Sequence, residues 1–517
     1  MKHILRISLV AAAVALAAAC SKDYMETSPE SSTSPATIFA TTENCELAIN
    51  GMCKMMTTQY LSTQGLNGEG TIKTWYGNFG NDLQRVDHSG WAALWNHTMH
   101  ESVSSIYLTY PWFYYYKIIG NANQVIENID NASGPESEKK YYKAQALVFR
   151  AHAFTMLMQL YAYRWQDSNN GAGPGIALRI NSASAEDYEI ALSTQAECYA
   201  QIYADCDEAI RLFKESGIDR DADEFYKPNL NVAYAVKTRA ALIREDWSTV
   251  VACAPEARKG HPLMSQKQYM DGGFSDENNE WIWGVYEASD QTIYYYSFFA
   301  YQASNASSSM QRARPLAISK ELYDQIPQTD VRRKMWLEPT AEEWAACSSV
   351  DLADAAFTAR AKKEFASKLY STSQIYAYMS FKFLCTFTPG GGSFNIYRSA
   401  EMMLSEAEAQ CHLGNDSAAQ SLLKELNKNL DPSYTCTKTG SDLLKEVKLY
   451  RRIDLWGEGF DYYDYKRWNE PIVRKSKAQG GSFQAAYAIT INPEDGNRWT
   501  WKVPKYETDY NKLIQLN

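Results

Sequence analysis

The chain has 517 residues, 22% of them charged and 45% in the apolar class, the balance of a polypeptide that folds around its own core. A formal net charge of −10 argues against nucleic-acid binding, which needs a clustered basic face, and against docking on anionic lipid. Aromatic residues reach 13%, with 36 Tyr and 14 Trp, a surplus that calls for an explanation.

At the N-terminus, Lys2, His3 and Arg6 precede an uncharged run from Ile7 to Ala19 that ends in small residues. This reads as a signal peptide over residues 1–19, since the run is shorter than the ~20 apolar residues of a spanning helix. Leu16-Ala17-Ala18-Ala19-Cys20 resembles a bacterial lipobox whose large aliphatic residue stands one place early. Cys20 is therefore the expected lipid anchor and first mature residue. Each buried acyl methylene adds ~0.8 kcal/mol, so several chains on one cysteine hold a domain at a membrane. Asp23 and Glu26 fit a surface-export signal, from which Lys22 departs. Residues 20–37 are rich in Ser, Thr and Pro and read as a tether, leaving 38–517 as one folded domain.

Helical periodicity dominates from there. Leu147, Ala151, Phe154, Met158 and Tyr161 form one apolar stripe, and Ala400, Met403, Leu404, Ala407 and Cys411 form another. The second is predicted to end at Gly414, with a third stripe, Ala419, Leu422, Leu426 and Leu430, following at once. Residues 199–213, 232–243 and 247–257 read as further helices. Tyr110 to Tyr116 leads into a helix expected over 117–129. These pairs imply a mostly α fold, a scaffold of tetratricopeptide-like helix pairs with an imperfect repeat. Two long stretches, near 62–100 and 270–312, lack the period, and irregular insertions of this length usually serve function.

Catalytic motifs are absent. There is no G-x-S-x-G and no H-E-x-x-H, and Gly390-Gly391-Gly392 lacks the Lys-Ser/Thr of a phosphate loop. With 61 Asp and Glu, nothing singles out a glycosidase pair. His88, His97, His100 and Glu101 are read as structural, without a metal, and Asp219, Asp221 and Asp223 as a solvated turn, because Glu224 stands where a calcium loop needs Gly. No cofactor is expected. Ten cysteines without C-x-x-C leave an odd number after Cys20; Cys45/Cys53 and Cys198/Cys206, eight apart on helices, would lie ~12 Å apart, beyond disulfide reach.

Aromatic rings offer flat faces to the C–H faces of sugars, and their polar tips reach hydroxyls. The first irregular stretch carries Trp75, Tyr76, Trp91 and Trp95 beside Asn78 and Asn81; the second carries Tyr294, Tyr295, Tyr296 and Tyr301 beside Gln302. These are the candidate ligand contacts, with at least one ring in each cluster expected at the surface.

One stretch carries a family signature. Tyr450-Arg451-Arg452-Ile453-Asp454-Leu455-Trp456-Gly457-Glu458-Gly459-Phe460-Asp461-Tyr462-Tyr463-Asp464-Tyr465-Lys466-Arg467-Trp468 resembles the E-R-R-x-E-L-x-G-E-G-x-R-x-x-D-L-x-R-W of the SusD/RagB family of nutrient-binding outer-membrane lipoproteins. Tyr116 to Ile129 with its Gly-Asn-Ala-Asn centre, Asn279-Glu280-Trp281-Ile282-Trp283, and Arg398-Ser399-Ala400-Glu401 through Ala407-Glu408-Ala409 are similar too. Tyr450, Asp454, Asp461 and Tyr465 replace Glu, Glu, Arg and Leu, which puts an ion pair of the motif in question while the helix and turn should survive. The motif is expected to guide folding, not to bind ligand. The resemblance implies a SusD-like fold, an irregular ligand-binding region, no catalysis, capture of oligosaccharides, and a SusC-like TonB-dependent β-barrel transporter as partner at the outer membrane, with the domain facing outward. A peptide receptor on the same scaffold, and less so a surface glycosidase, are the alternatives.

Overall fold

The structure is a computed structural model that describes residues 39–85, 92–182, 188–287, 296–347, 353–493 and 499–514. Cys20, its lipobox and the tether lie outside these residues. The helices that build the scaffold are α1 (Thr42–Met55), α2 (Ile106–Asn128), α3 (Glu136–Tyr161), α4 (Gln195–Ser216), α5 (Leu230–Ile243), α6 (Trp247–Ala257), α7 (Ser399–His412), α8 (Asp416–Asn427), α9 (Gly440–Asp454) and α10 (Asp461–Trp468). Their ends follow local chemistry. Thr194 and Glu197 form a reciprocal capping box on α4, and Asn229 and Asp246 cap α5 and α6 by accepting from Val232 and Thr249 N–H. Gly414, at φ +75°, makes the turn between α7 and α8, as the sequence predicts.

Consecutive helices pack side by side from α2 through α6, and α6 then packs against α7, which also contacts α8 and α9. Residues 258–398 are thus an excursion out of a continuous helical layer. The central helix differs from its stripe reading: from Ala144 to Tyr161 every residue of α3 is buried, Arg150 and His152 included. Neighbours on all sides remove the polar face, so those side chains need buried partners. Arg150 makes paired bonds to Asp205 at 2.6 and 2.8 Å, and His152 lies 3.2 Å from Glu69 and 3.0 Å from the Tyr397 hydroxyl.

Helix α2 begins at Ile106, earlier than the period suggests, and takes in Tyr110, Trp112, Tyr114 and Tyr115 as buried residues. Pro111 stands inside it and has no N–H for the Tyr107 carbonyl. The Tyr76 hydroxyl donates to that carbonyl at 2.6 Å. One residue on, the Tyr161 hydroxyl inserts into the ladder, accepting from Trp112 N–H at 3.2 Å and donating to the Leu108 carbonyl at 2.6 Å. Tertiary hydroxyls thus replace the lost helical bonds.

The strands are short: β1 (Leu83–Arg85), β2 (Trp281–Val285), β3 (Leu316–Ile318), β4 (Phe394–Arg398), β5 (Ile472–Val473) and β6 (Thr490–Ile491). They pair antiparallel as β1–β3, β2–β4 and β5–β6, with Leu83 opposite Ile318 and Trp281 opposite Arg398. No helix among the described residues is long and apolar enough to cross a membrane. The nine described cysteines are free; Cys45 and Cys53 share α1, and Cys198 and Cys206 share α4.

Three of the four family-like stretches, those around Glu280, Arg398 and Asp454, meet in one buried ionic cluster. Arg398, 1% exposed, bonds Glu280 at 2.8 Å, Asp454 at 2.6 Å and Glu458 at 2.7 and 2.9 Å. Lys382 reaches Glu458 at 2.7 Å, and Arg332 joins Asp454 to Asp330. Burial alone raises the Glu458 carboxyl, but Arg398 and Lys382 hold it far below the usual carboxylate range. The motif also keeps internal ion pairs despite its replacements, because Arg451 and Arg467 both bond Asp464, at 2.6 and 2.9 Å.

Candidate functional site: the join of the two irregular stretches

The two irregular stretches come together. Asn67 donates to the Tyr296 carbonyl at 2.7 Å and Gln302 to the Thr74 hydroxyl at 3.3 Å, and β1 in the first stretch pairs with β3, just beyond the second. Trp75 meets Tyr301 edge-on with ring centres 5.1 Å apart, and the Arg85 guanidinium covers both rings at 5.3 and 5.7 Å. Gly77 sets the approach to the signature turn: a Cβ there would lie 2.0 Å from the Gly459 carbonyl oxygen.

This closeness overturns most of the individual assignments. Trp75, Tyr76, Asn78, Trp95, Tyr301 and Gln302 are all at most 3% exposed, so none presents a face to a ligand from solvent. The rings facing each other across the join bury apolar area at about 1.5–3 kcal/mol per large side chain, and that use excludes stacking on a sugar. Asn78 is occupied as well, donating to the Lys73 carbonyl at 2.7 Å and accepting Gly459 N–H at 3.1 Å, which pins the signature turn. Trp95 packs on Phe79 at 6.0 Å, beneath the Arg474 guanidinium. Asn81 is half-buried and accepts from Val473 N–H at 2.6 Å. Trp91, Tyr294 and Tyr295 lie outside the described residues. Tyr296 alone of the described candidate rings stays half-exposed, 6.3 Å from Tyr301.

The second stretch also holds two residues that sequence reasoning missed. Tyr286 is 54% exposed at the end of β2, with its ring 5.8 Å from Tyr226. It directly follows the apolar strand Trp281–Val285, and no sequence pattern marks it. Next to it, Glu287 is 5% exposed, and burial pushes its carboxyl up to about 8 despite a bond from Gly392 N–H. Its Oε1 has no partner, which suits a neutral acid.

A larger concavity, about 780 Å³, is lined in part by Arg333, Trp336, Glu338, Arg360, Glu364 and Lys368. Arg333 pairs there with Glu338 and Arg360 with Glu364, and Trp336 is buried. Among the described residues no group of three or more His, Cys, Asp or Glu is placed to hold a metal ion. His97 lies 2.7 Å from the Phe79 carbonyl, and His88 is outside the described residues. The acidic turn is solvated, with Asp221 and Asp223 exposed.

Two family models match the chain. One, described as starch-binding associating with outer membrane, covers residues 23–242, and the SusD family model covers 264–514. Solved structures share the fold. A SusD-like carbohydrate binding protein from Bacteroides vulgatus is 22% identical, covers 92% of this chain and 97% of its own, and has a TM-score of 0.73. A SusD superfamily protein from Bacteroides thetaiotaomicron is 21% identical over 92% and 99% of the two chains, with a TM-score of 0.72. One from Bacteroides fragilis is 18% identical over 92% and 100%, at 0.69. No curated protein matches. With two models of the family spanning most of its length and three of the family-like stretches gathered into one ionic cluster, the chain belongs to the SusD/RagB family.

Proposed function

We propose that this protein is a binding lipoprotein of the outer membrane, anchored through Cys20, that captures oligosaccharide or polysaccharide outside the cell and passes it to a TonB-dependent β-barrel transporter. The observation that carries the reading is the family match over residues 23–242, whose model is described as starch-binding associating with outer membrane. The proposed place of contact is the join of the irregular stretches. Tyr286 and Tyr296 flank residues 288–295, and with Trp91, Tyr294 and Tyr295 they are the rings proposed to stack on sugar faces. Binding, not catalysis, is the proposed activity.

The test is native electrophoresis of the mature chain through gels cast with amylopectin, dextran, galactomannan or arabinoxylan. Retention in at least one is expected, weakened by Tyr286→Ala with Tyr296→Ala, and with no new reducing ends after prolonged incubation. A chain retained by none of the four loses this reading. Co-purification of a β-barrel partner with tagged protein from membranes tests the transporter half.

A further inference from the structure

Five aromatic side chains are exposed among the described residues: Tyr163, Tyr188, Tyr286, Tyr506 and Tyr510. Three of them, Tyr188, Tyr506 and Tyr510, line one open concavity of about 390 Å³, and none belongs to either irregular stretch. They are 44%, 57% and 67% exposed, so core packing does not account for them. The Tyr506 and Tyr510 rings stand 6.5 Å apart at 64°, two walls of a corner.

The floor of this corner is polar and tightly held. Glu507 accepts from Arg179 and Asn511 at 2.9 Å each through one oxygen, and from the Trp112 indole at 3.1 Å through the other. Asn511, 1% exposed, takes both backbone groups of Ile190, at 3.2 and 2.8 Å, which fastens the Tyr188 segment to the Tyr506 helix. From below, Asn123 of the Gly-Asn-Ala-Asn stretch donates to the carbonyls of Arg179 and Asn181 at 2.8 and 3.0 Å. Arg179 gives one N–H to Glu507 and makes no other side-chain bond among the described residues, which leaves guanidinium donors for a ligand.

We propose that Tyr188, Tyr506 and Tyr510, with Arg179, form a second carbohydrate-binding surface, suited to a neutral pyranose chain. Upright rings take the C–H faces of sugars, and the guanidinium takes hydroxyls. The Arg179–Glu507 pair cancels its own charge, so an anionic ligand gains no net attraction. The volume falls within the ~300–1,000 Å³ of small-ligand sites, whereas a stable protein interface needs roughly 800 Å² on each partner, more than three ring faces provide. The inference rests on the glycan-binding reading under Proposed function. A second surface on one chain strengthens the hold on a polymer that spans both without strengthening the hold on a short sugar.

The experiment compares the mature wild type, the triple variant Tyr188→Ala/Tyr506→Ala/Tyr510→Ala, and Tyr506→Phe/Tyr510→Phe in the same four polysaccharide gels. The triple variant is expected to keep its melting temperature and to bind the retaining polysaccharide roughly tenfold more weakly, while the Phe pair keeps most of the retention. Retention unchanged in the triple variant overturns this surface and leaves the glycan-binding reading standing. Retention unchanged with loss of a co-purifying membrane partner overturns it too, and assigns the face to protein. A wild type retained by no gel defeats both readings together.

Discussion

The ionic cluster around Arg398 and the corner around Tyr506 use the same kinds of side chain, a guanidinium, carboxylates and aromatic rings, in opposite settings. At Arg398 every charge is buried, each carboxylate has a cation, and the Phe274 ring lies 5.5 Å from the guanidinium. At Tyr506 the rings stand in solvent and only the Glu507 and Asn511 floor is tied down. The difference teaches what the family signature is for. It joins β2, β4 and the turn after α9 into a frame, while the proposed ligand contacts lie outside it.

The sharpest way to break the frame is Arg398→Met. It leaves Glu280, Asp454 and Glu458 buried with too few cations, and a loss of about 3–5 kcal/mol is expected in urea unfolding. A loss under about 1 kcal/mol on that scale would show that the cluster does not hold the frame. Glu287→Gln probes the boundary between frame and rim through pH. The native carboxyl titrates near 8, above its ordinary 4.5, so the stability it contributes is present below about pH 4.5 and is lost as pH rises to 8. The variant should match wild type near pH 5 and melt higher near pH 8.5, because a buried neutral acid loses about 1.4 kcal/mol of stability for each pH unit climbed between those two values. Equal melting temperatures at both pH values would refute the buried neutral acid.

Tyr76→Phe is a smaller test on the frame side. It strips the donor from the Tyr107 carbonyl that Pro111 leaves unpaired, and about 1–2 kcal/mol should go in the same unfolding assay. Smallest in stability is Tyr286→Ala on the rim, expected within about 0.5 kcal/mol of wild type because the side chain is mostly exposed. Its effect should appear only in polysaccharide retention. A large fall in melting temperature would move Tyr286 into the frame.

Much of the scaffold was legible because its signals are local. A period of 3.6 and a Gly414 after an apolar stripe each act within one or two turns of chain. Pro111 hid the start of α2, since the hydroxyls that rescue it come from Tyr76 and Tyr161, distant in sequence. The candidate site was legible only as two separate irregular stretches rich in aromatic residues. Trp75 reads like a binding ring until Tyr301 and Arg85 close over it, while Tyr506 and Tyr510 sit in and just after a short helix near the end of the described chain with no pattern to mark them.

By itself, the sequence determined the helical class, a few of the helix ends and the family signature, all of which depend on spacing along the chain. Only the tertiary structure decided which aromatic residues are walls of the core and which stand in water. Burial is set by what packs across the fold, and 226 positions separate Trp75 from the Tyr301 ring that covers it.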